Sequence, residues 1–345
     1  MTASAAPSLS PSRRVWLRFR RNRRGFVSLW VFLVLFALSL CAELLSNDKP
    51  IVVRYDGQWF LPLWRDYPEA TFGGDFPSMA DYLDPFIVEQ FDKPGNWALY
   101  PPNRYSYNTI NYFAPSPNPA PPNAENLLGT DDRGRDVLAR LLYGFRVSVL
   151  FSLALTAVGV VIGILFGALQ GYFAGRFDLT MQRLIEIWAS MPELYLLIIL
   201  SSIFEPGLLI LLVVLSLFGW MTLSDYVRAE FLRNRSLEYV TAARALGLSN
   251  RQIIWRHILP NSMTPVLAFL PFRMSGGILA LTSLDFLGLG VPPSTPSLGE
   301  LLAQGKGNLD AWWISLSTFS VLVLMLMLLI FIGEALRDAL DTRRG

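Results

Sequence analysis

Six long apolar runs constrain this chain more than any other feature. They occupy 26–45, 148–169, 184–204, 207–223, 266–290 and 312–333, and the first reads FVSLWVFLVLFALSLCAELL. A helix needs about 20 predominantly apolar residues to cross a bilayer. In lipid the backbone must satisfy its own hydrogen bonds, and a single run does that only as a helix. Pro192 interrupts the third run, and Pro271 and Arg273 weaken the fifth. Composition agrees, since 52% of the 345 residues are hydrophobic and 16% are charged, against about 25% charged in a typical soluble domain. The expected fold is an all-α polytopic membrane protein with six transmembrane helices. A signal peptide fits the first run poorly, because the run is too long and lacks a clear small-residue cleavage site.

Arginine placement sets the expected orientation. RRVWLRFRRNRR, just before the first run, holds seven arginines and no acid, which puts the N-terminus in the cytoplasm. Alternation then places 171–183, 228–261 and the C-terminal RDALDTRRG inside as well, and all three carry arginine. The chain divides into a basic N-terminus (1–25), a first span (26–45), an external segment (46–145), a five-helix core (146–334) with an inner loop at 228–262, and a C-terminal tail (335–345). The external segment is proline-rich at 114–122, which predicts an extended strap there. Trp59, Phe60, Trp64, Phe86 and Trp97 are its candidate anchors for a small lobe, no hairpin signal stands out, and 136–144 reads as a short amphipathic helix. Cys41 is the single cysteine, so it forms no intrachain disulfide and is expected to be a small buried apolar residue.

Glycine recurs every fourth position in the second run, at Gly159, Gly163, Gly167, Gly171 and Gly175. That spacing stacks the glycines on one helix face, where a second backbone can approach closely. The inner loop holds EYVTAARALGLSNRQIIWRHILPN. Ser236 is expected to cap a helix over 237–246 with Glu238 in its first turn, Gly247 to stop it in the left-handed region, and Ser249 with Gln252 to form a capping box. Pro260 is expected to end the second helix. Two helices about a glycine turn also suit a DNA reader. Both ends are tied to spans within a few residues, which leaves no room for a duplex.

TAARALGLSNRQIIWRHILPN resembles the inner loop of bacterial binding-protein-dependent ABC importer permeases, whose pattern is Glu-Ala-Ala, three residues, Gly, nine residues, Ile-x-Leu-Pro. Ala242, Ala243, Gly247, Leu259 and Pro260 match, while Thr241 replaces the glutamate and His257 the isoleucine. LLGTDDRGRDVLARLLYG, LTSLDFLGLGVPPSTPSLGELL and GEALRDALD are similar to the dipeptide and oligopeptide branch. The N-terminal region with the long external segment narrows the resemblance to the Yej-type branch. The resemblance implies a type I ABC importer permease fold and peptide cargo, with microcin C-like peptide–nucleotides as a further candidate. It also implies a coupling role for Glu238, Thr241, Ala242, Ala243, Arg244, Gly247, Arg256, Leu259 and Pro260 against a separate ATPase. The implied partners are a second permease subunit, ABC ATPases that hold the ATP–Mg, and a substrate-binding protein, all at the bacterial inner membrane.

No catalytic or metal-binding constellation stands out. His257 is the only histidine and lacks partners for either task. GELLAQGKGN has five residues between Gly299 and the Gly305–Lys306 pair, with Gly307 where a phosphate loop has Ser or Thr, so it does not match that loop. Arg273 in the fifth run needs a partner or water. Asp285, Glu193 and Glu186 are candidates, and Arg273 with Asp285 form a candidate translocation path. Asp225 is expected to mark the inner end of the fourth span. Two other classes remain open: an ion-coupled secondary transporter, which often shows repeated halves that are not evident here, and a non-transport membrane assembly protein.

Overall fold

The computed structural model describes residues 10–112, 114, 116–204 and 207–341. The chain divides into two compact units, one of 1–33, 149–281 and 324–345, the other of 34–148 and 282–323. The boundaries fall inside four long helices: α2 (Arg23–Leu40), α4 (Val137–Phe173), α10 (Asn250–Phe286) and α12 (Trp312–Leu340). These four and the span Leu208–Asn234 are the five described helices long and apolar enough to cross a membrane.

The third run departs from expectation. It forms two helices, α5 (Gly175–Ala189) and α6 (Glu193–Ile203), parted at 190–192. Pro192 has no N–H and pushes Met191 away from helical geometry. The 11 residues of α6 reach roughly 16 Å, short of a bilayer core of about 30 Å.

In the first unit, α1 (Pro11–Arg21) precedes α2 with a break at Asn22. Helices α7 (Leu208–Gly219) and α8 (Met221–Asn234) run on through Trp220, which stays right-handed helical. The short helix α9 (Glu238–Ala245) follows, and α10 begins at a capping box in which Ser249 and Gln252 exchange side-chain and backbone bonds. Contrary to expectation, Pro260 does not end that helix. Ile253–Ile258 widens into a π-helical turn and the helix continues as Leu259–Phe286 with Pro265 and Pro271 inside it. The carbonyl that a proline at 260 would strike in an α-helix belongs to Arg256, which lies within the widened turn and gives the ring room.

The glycine stripe packs α4 against α8. A Cβ at Gly167 would lie 2.5 Å from the Ser224 carbonyl oxygen and 2.7 Å from Val227 Cβ. One at Gly163 would lie 3.0 Å from the Trp220 oxygen, and one at Gly171 2.6 Å from the Arg228 oxygen. Gly175 leaves the stripe, because the chain turns at Ala174 and Gly175 with φ of 49° and 58°. Beyond the stripe, Asp178 on α5 takes a bidentate pair from Arg228 on α8, at 2.5 and 2.6 Å.

The second unit adds a small sheet, inside the external segment, to the expected helical frame. Strands β1 (Val52–Tyr55), β2 (Gln58–Phe60) and β3 (Trp97–Leu99) form an antiparallel sheet in the order β2-β1-β3. Asp56 and Gly57, at φ 50° and 77°, make the β1–β2 turn, and Asp-Gly between alternating apolar residues is the signal that was missed. The helix α3 (Pro85–Asp92) starts at Asp84, whose carboxylate accepts from Phe86 N at 2.7 Å. The lobe core is Val53, Phe72, Tyr82, Ile87 and Phe91, with Phe60 against it. Trp59, Trp64, Phe86 and Trp97 are exposed and lie outside that core. Cys41 is likewise exposed, not buried.

No regular element lies between β3 and α4 among the described residues, as the proline density predicts, but 136–144 is not a separate helix: α4 is continuous over 37 residues. Asp136 caps it, accepting from Ala139 N at 2.7 Å. Burial pushes that carboxyl above its usual range although Asn126 and Asn103 donate to it. Nearby, Arg135 meets Asp131 at 2.6 Å and Arg140, fully buried, meets Glu300 of α11 (Leu298–Gly307). Pairing of this kind offsets the cost of burying these charges.

Candidate functional site

The segment from Leu237 to Pro260 presents one face outward and locks the other into a core. Val240 and Ala243 of α9 and Ile253, Ile254 and Ile258 at the start of α10 are buried with Ala168 and Tyr172 of α4 and with Leu223, Val227 and Phe231 of α8. Helical spacing then directs Glu238, Thr241, Ala242, Arg244 and Leu246 outward, and all five are exposed. Leu246 is 81% exposed and Trp255 53%. Both are large apolar side chains that the rest of the chain leaves uncovered.

Gly247 turns the chain as its sequence position predicts. Its φ is +76°, its N–H donates to the Arg244 carbonyl at 3.0 Å, and the next N–H, of Leu248, reaches back to the Ala243 carbonyl at 3.2 Å. Those two bonds close a Schellman motif, with Leu248 and Ala243 packed in the same core. At the other end the expected cap is absent. Ser236 Oγ donates to the Arg233 carbonyl instead, and Leu237 occupies the cap position without a side-chain bond.

Of the candidate coupling residues, Glu238 sits in the first turn of α9, Thr241 and Ala242 on its exposed face, and Ala243 in the core. Arg244 lies 5.2 Å above the Tyr172 ring, a cation–π arrangement. Arg256 is exposed, Leu259 half-buried and Pro260 exposed. Tyr172 was not singled out from the sequence. Its hydroxyl donates to Asn250 Oδ1 at 2.7 Å and its carbonyl accepts from Arg235 at 3.2 Å. Asn234 donates to Ser262 Oγ at 2.9 Å and so ties α8 to α10. These partners lie 28 to 78 residues apart, beyond the reach of any local pattern.

Arg273 is found in α10 with its Nε buried and no hydrogen-bond partner. Its guanidinium fills the space that Gly159 and Gly219 leave, 2.9 and 3.3 Å from where their Cβ atoms would stand. Glu186, one expected partner, pairs with Arg183 at 2.5 Å. The Asp285 carboxylate accepts from Ser297 Oγ and from Val291 N at 2.9 Å, which bends the chain toward α11. Asp225 lies two residues past the apolar run 207–223, within the helix Leu208–Asn234, and accepts from Gln182 at 3.3 Å. The glycine-rich stretch at 299–307 is helix α11, so most of its N–H groups bond within the helix and cradle no phosphate. His257 lies in the π-helical turn, its carbonyl accepting from Asn261 at 2.9 Å. Among the described residues no group of three or more His, Cys, Asp or Glu is placed to hold a metal ion.

Comparison with known proteins agrees with this frame. The family model described as binding-protein-dependent transport system inner membrane component matches residues 159–345, and that for the N-terminal TM domain of oligopeptide transport permease C matches 10–62. The chain is 54% identical over 338 residues to the inner membrane ABC transporter permease protein YejE of Escherichia coli K12, covering 98% of this chain and 99% of that one. It is 50% identical over 363 residues to the peptidoglycan transport system permease protein YejE of Agrobacterium fabrum C58, covering 98% and 95%. An inward-facing structure of the MetNI methionine ABC transporter aligns with a TM-score of 0.50 at 19% identity, over 59% of this chain and 97% of that one. The fold is therefore that of a type I ABC importer permease, and the chain belongs to the family of binding-protein-dependent transport system inner membrane components.

Proposed function

We propose that this chain is the permease subunit of a peptide importer, forming half of the translocation path and coupling the motion of separate ATPase subunits to uptake. The observation that carries the reading is the 237–260 segment, with Leu246 and Trp255 exposed and five apolar side chains fixed in the core. A lever needs both, since a face that docks must also be rigidly tied to the helices it moves. The N-terminal match to an oligopeptide permease domain and the YejE relatives support peptide cargo. Peptide–nucleotides of the microcin C kind fall within the same reading.

In this reading both termini and the 237–260 face lie in the cytoplasm and the 46–145 segment lies outside, consistent with seven arginines before residue 26. The partners are a second permease subunit, ABC ATPases that bind the ATP–Mg, and a binding protein that delivers peptide. The chain itself holds no nucleotide. Arg273, with its buried Nε unpaired, is the path residue we favour, and Asp285 supports the turn before α11. The test is uptake of labelled oligopeptides in cells lacking only this chain. Loss of uptake, restored by the wild-type chain, is expected, and undiminished uptake of every peptide tried overturns peptide transport.

A further inference from the structure

We propose that α1 is an anionic-lipid contact, in which its arginine face binds phospholipid phosphates beside the first and last spans. The sequence places seven arginines at 13–24, and the first acid of the chain is Glu43. Neither α1 nor α2 carries a carboxylate, and Asp338 and Asp341, two acids against the seven arginines, stand at the α12 end that packs on α1. Around the helix, Val15 and Phe19 fall on one side, and Arg13, Arg20 and Arg21 with Leu17 fall on the other.

The structure uses the apolar side internally. Phe19 is buried with Ala335 and Ala339 near the end of α12, and Val15 and Phe26 pack against the same cluster. Arg18 donates to the Asp341 carbonyl at 3.2 Å. The Trp16 and Phe26 rings meet at 6.1 Å. Residues ten apart in a straight helix are separated by about 15 Å along the axis, so the chain bends at Asn22 and α1 folds back on the start of α2. The arginine face is left outward, with Arg13, Arg20, Arg21, Arg23 and Arg24 all exposed and Trp16 48% exposed beside them.

The occupant follows from position and charge. One residue, Asn22, separates α1 from a span-length helix, so the guanidinium groups stand at the depth where a bilayer presents its phosphates. Guanidinium forks match phosphate oxygens in pairs, and an indole beside them suits the same interface. A cluster of basic residues next to a span attracts anionic headgroups and loses them as salt rises.

The test uses the full chain in nanodiscs, with its one cysteine removed (Cys41→Ser) and a fluorophore attached at Leu17→Cys. Spin-labelled phosphatidylglycerol and spin-labelled phosphatidylcholine are added as quenchers in separate arms. We expect the anionic lipid to quench about three times as strongly at low salt, with the ratio falling toward one near 1 M salt, where the screening length is about 3 Å. The triple variant Arg13→Gln, Arg20→Gln, Arg21→Gln should bring the ratio to about one, and the corresponding Arg→Lys variant should keep most of it. Equal quenching by the two lipids in the parent protein overturns the proposal. So does a ratio that survives in the Gln variant, and so does its loss on adding inorganic phosphate at matched ionic strength, which would mean a site for free phosphate. If the Gln variant cannot be purified, the salt series on the parent decides alone.

Discussion

At the scale of single residues, the proposed coupling role rests most narrowly on Gly247. Nothing lies within 4 Å of where its Cβ would be, yet its φ is +76°. Any loss on substitution therefore comes from backbone conformation and not from a clash. Alanine there costs about 1 kcal/mol, and a β-branched side chain about 1–3 kcal/mol. Gly247→Val is expected to insert and accumulate normally but to lose coupled transport, because relieving the strain tilts α9 on the ATPase. Gly247→Asn, which tolerates the left-handed region, should stay near wild type. ATP hydrolysis and uptake measured together in reconstituted complexes check both variants, and a Val variant that couples as tightly as wild type would remove α9 from the mechanism. Gly247 was legible because a helix stop leaves a local mark. Tyr172 was not, since its role depends on Asn250, 78 residues further along the chain.

At the scale of elements, two contacts decide whether α4, α5 and α8 stay together. The first is the glycine stripe. Gly167→Leu would drive a side chain into the Ser224 carbonyl, 2.5 Å from the Cβ position, at a cost of about 1–3 kcal/mol or more. Lower yield and a lower melting temperature in detergent are expected, with Gly175→Ala losing only what its φ of 58° costs, because nothing lies within 4 Å of it. Equal thermal stability of Gly167→Leu and wild type would mean that the two helices are not held by this approach. The second is the Arg228–Asp178 pair. Asp178→Ala leaves Arg228 without its bidentate partner while 28% of its side chain meets solvent. The 3–5 kcal/mol typical of a broken buried pair is thus an upper bound, and about 1–2 kcal/mol is expected once screening is allowed for. A double-mutant cycle with Arg228→Ala, read by thermal unfolding, checks it, and a coupling energy near zero would show the pair to be incidental. The sequence made the stripe, the capping box and five of the six runs readable, because each rests on spacing within one element. It misled at Pro260 and in the third run, where prolines look alike locally. One is absorbed by a widened turn and the other breaks the helix, and only the surrounding packing distinguishes the two.

At the scale of the whole molecule, the chain combines a mostly apolar helical frame with one polar insertion, and the two were unequally legible. Helices that must cross a bilayer announce themselves by length and hydropathy. The small sheet lobe rests on long-range aromatic packing, such as Phe72 against Phe60 and Phe91 at ring distances of 5.3 and 5.2 Å, and the residues that fill its core are not the most conspicuous ones in the sequence. The orientation of the molecule rests on charge, and that is the prediction with the widest reach. Seven arginines before residue 26 are expected to hold the N-terminus in the cytoplasm, with the lobe on the opposite side and Ser236 on the same side as the N-terminus. Gln58 and Ser236 are both exposed, and Gln58 avoids the strained φ of 50° at Asp56. In a Cys41→Ser background, Gln58→Cys should react with a membrane-impermeant maleimide on intact spheroplasts. Ser236→Cys should react only after the membrane is opened. The reverse pattern would turn the chain over and place 237–260 where no ATPase can reach it. Labelling of both sites in intact spheroplasts would mean that the number of crossings between residues 58 and 236 is even, and the broken third run, α5 and α6, would then be the first place to look for the miscount.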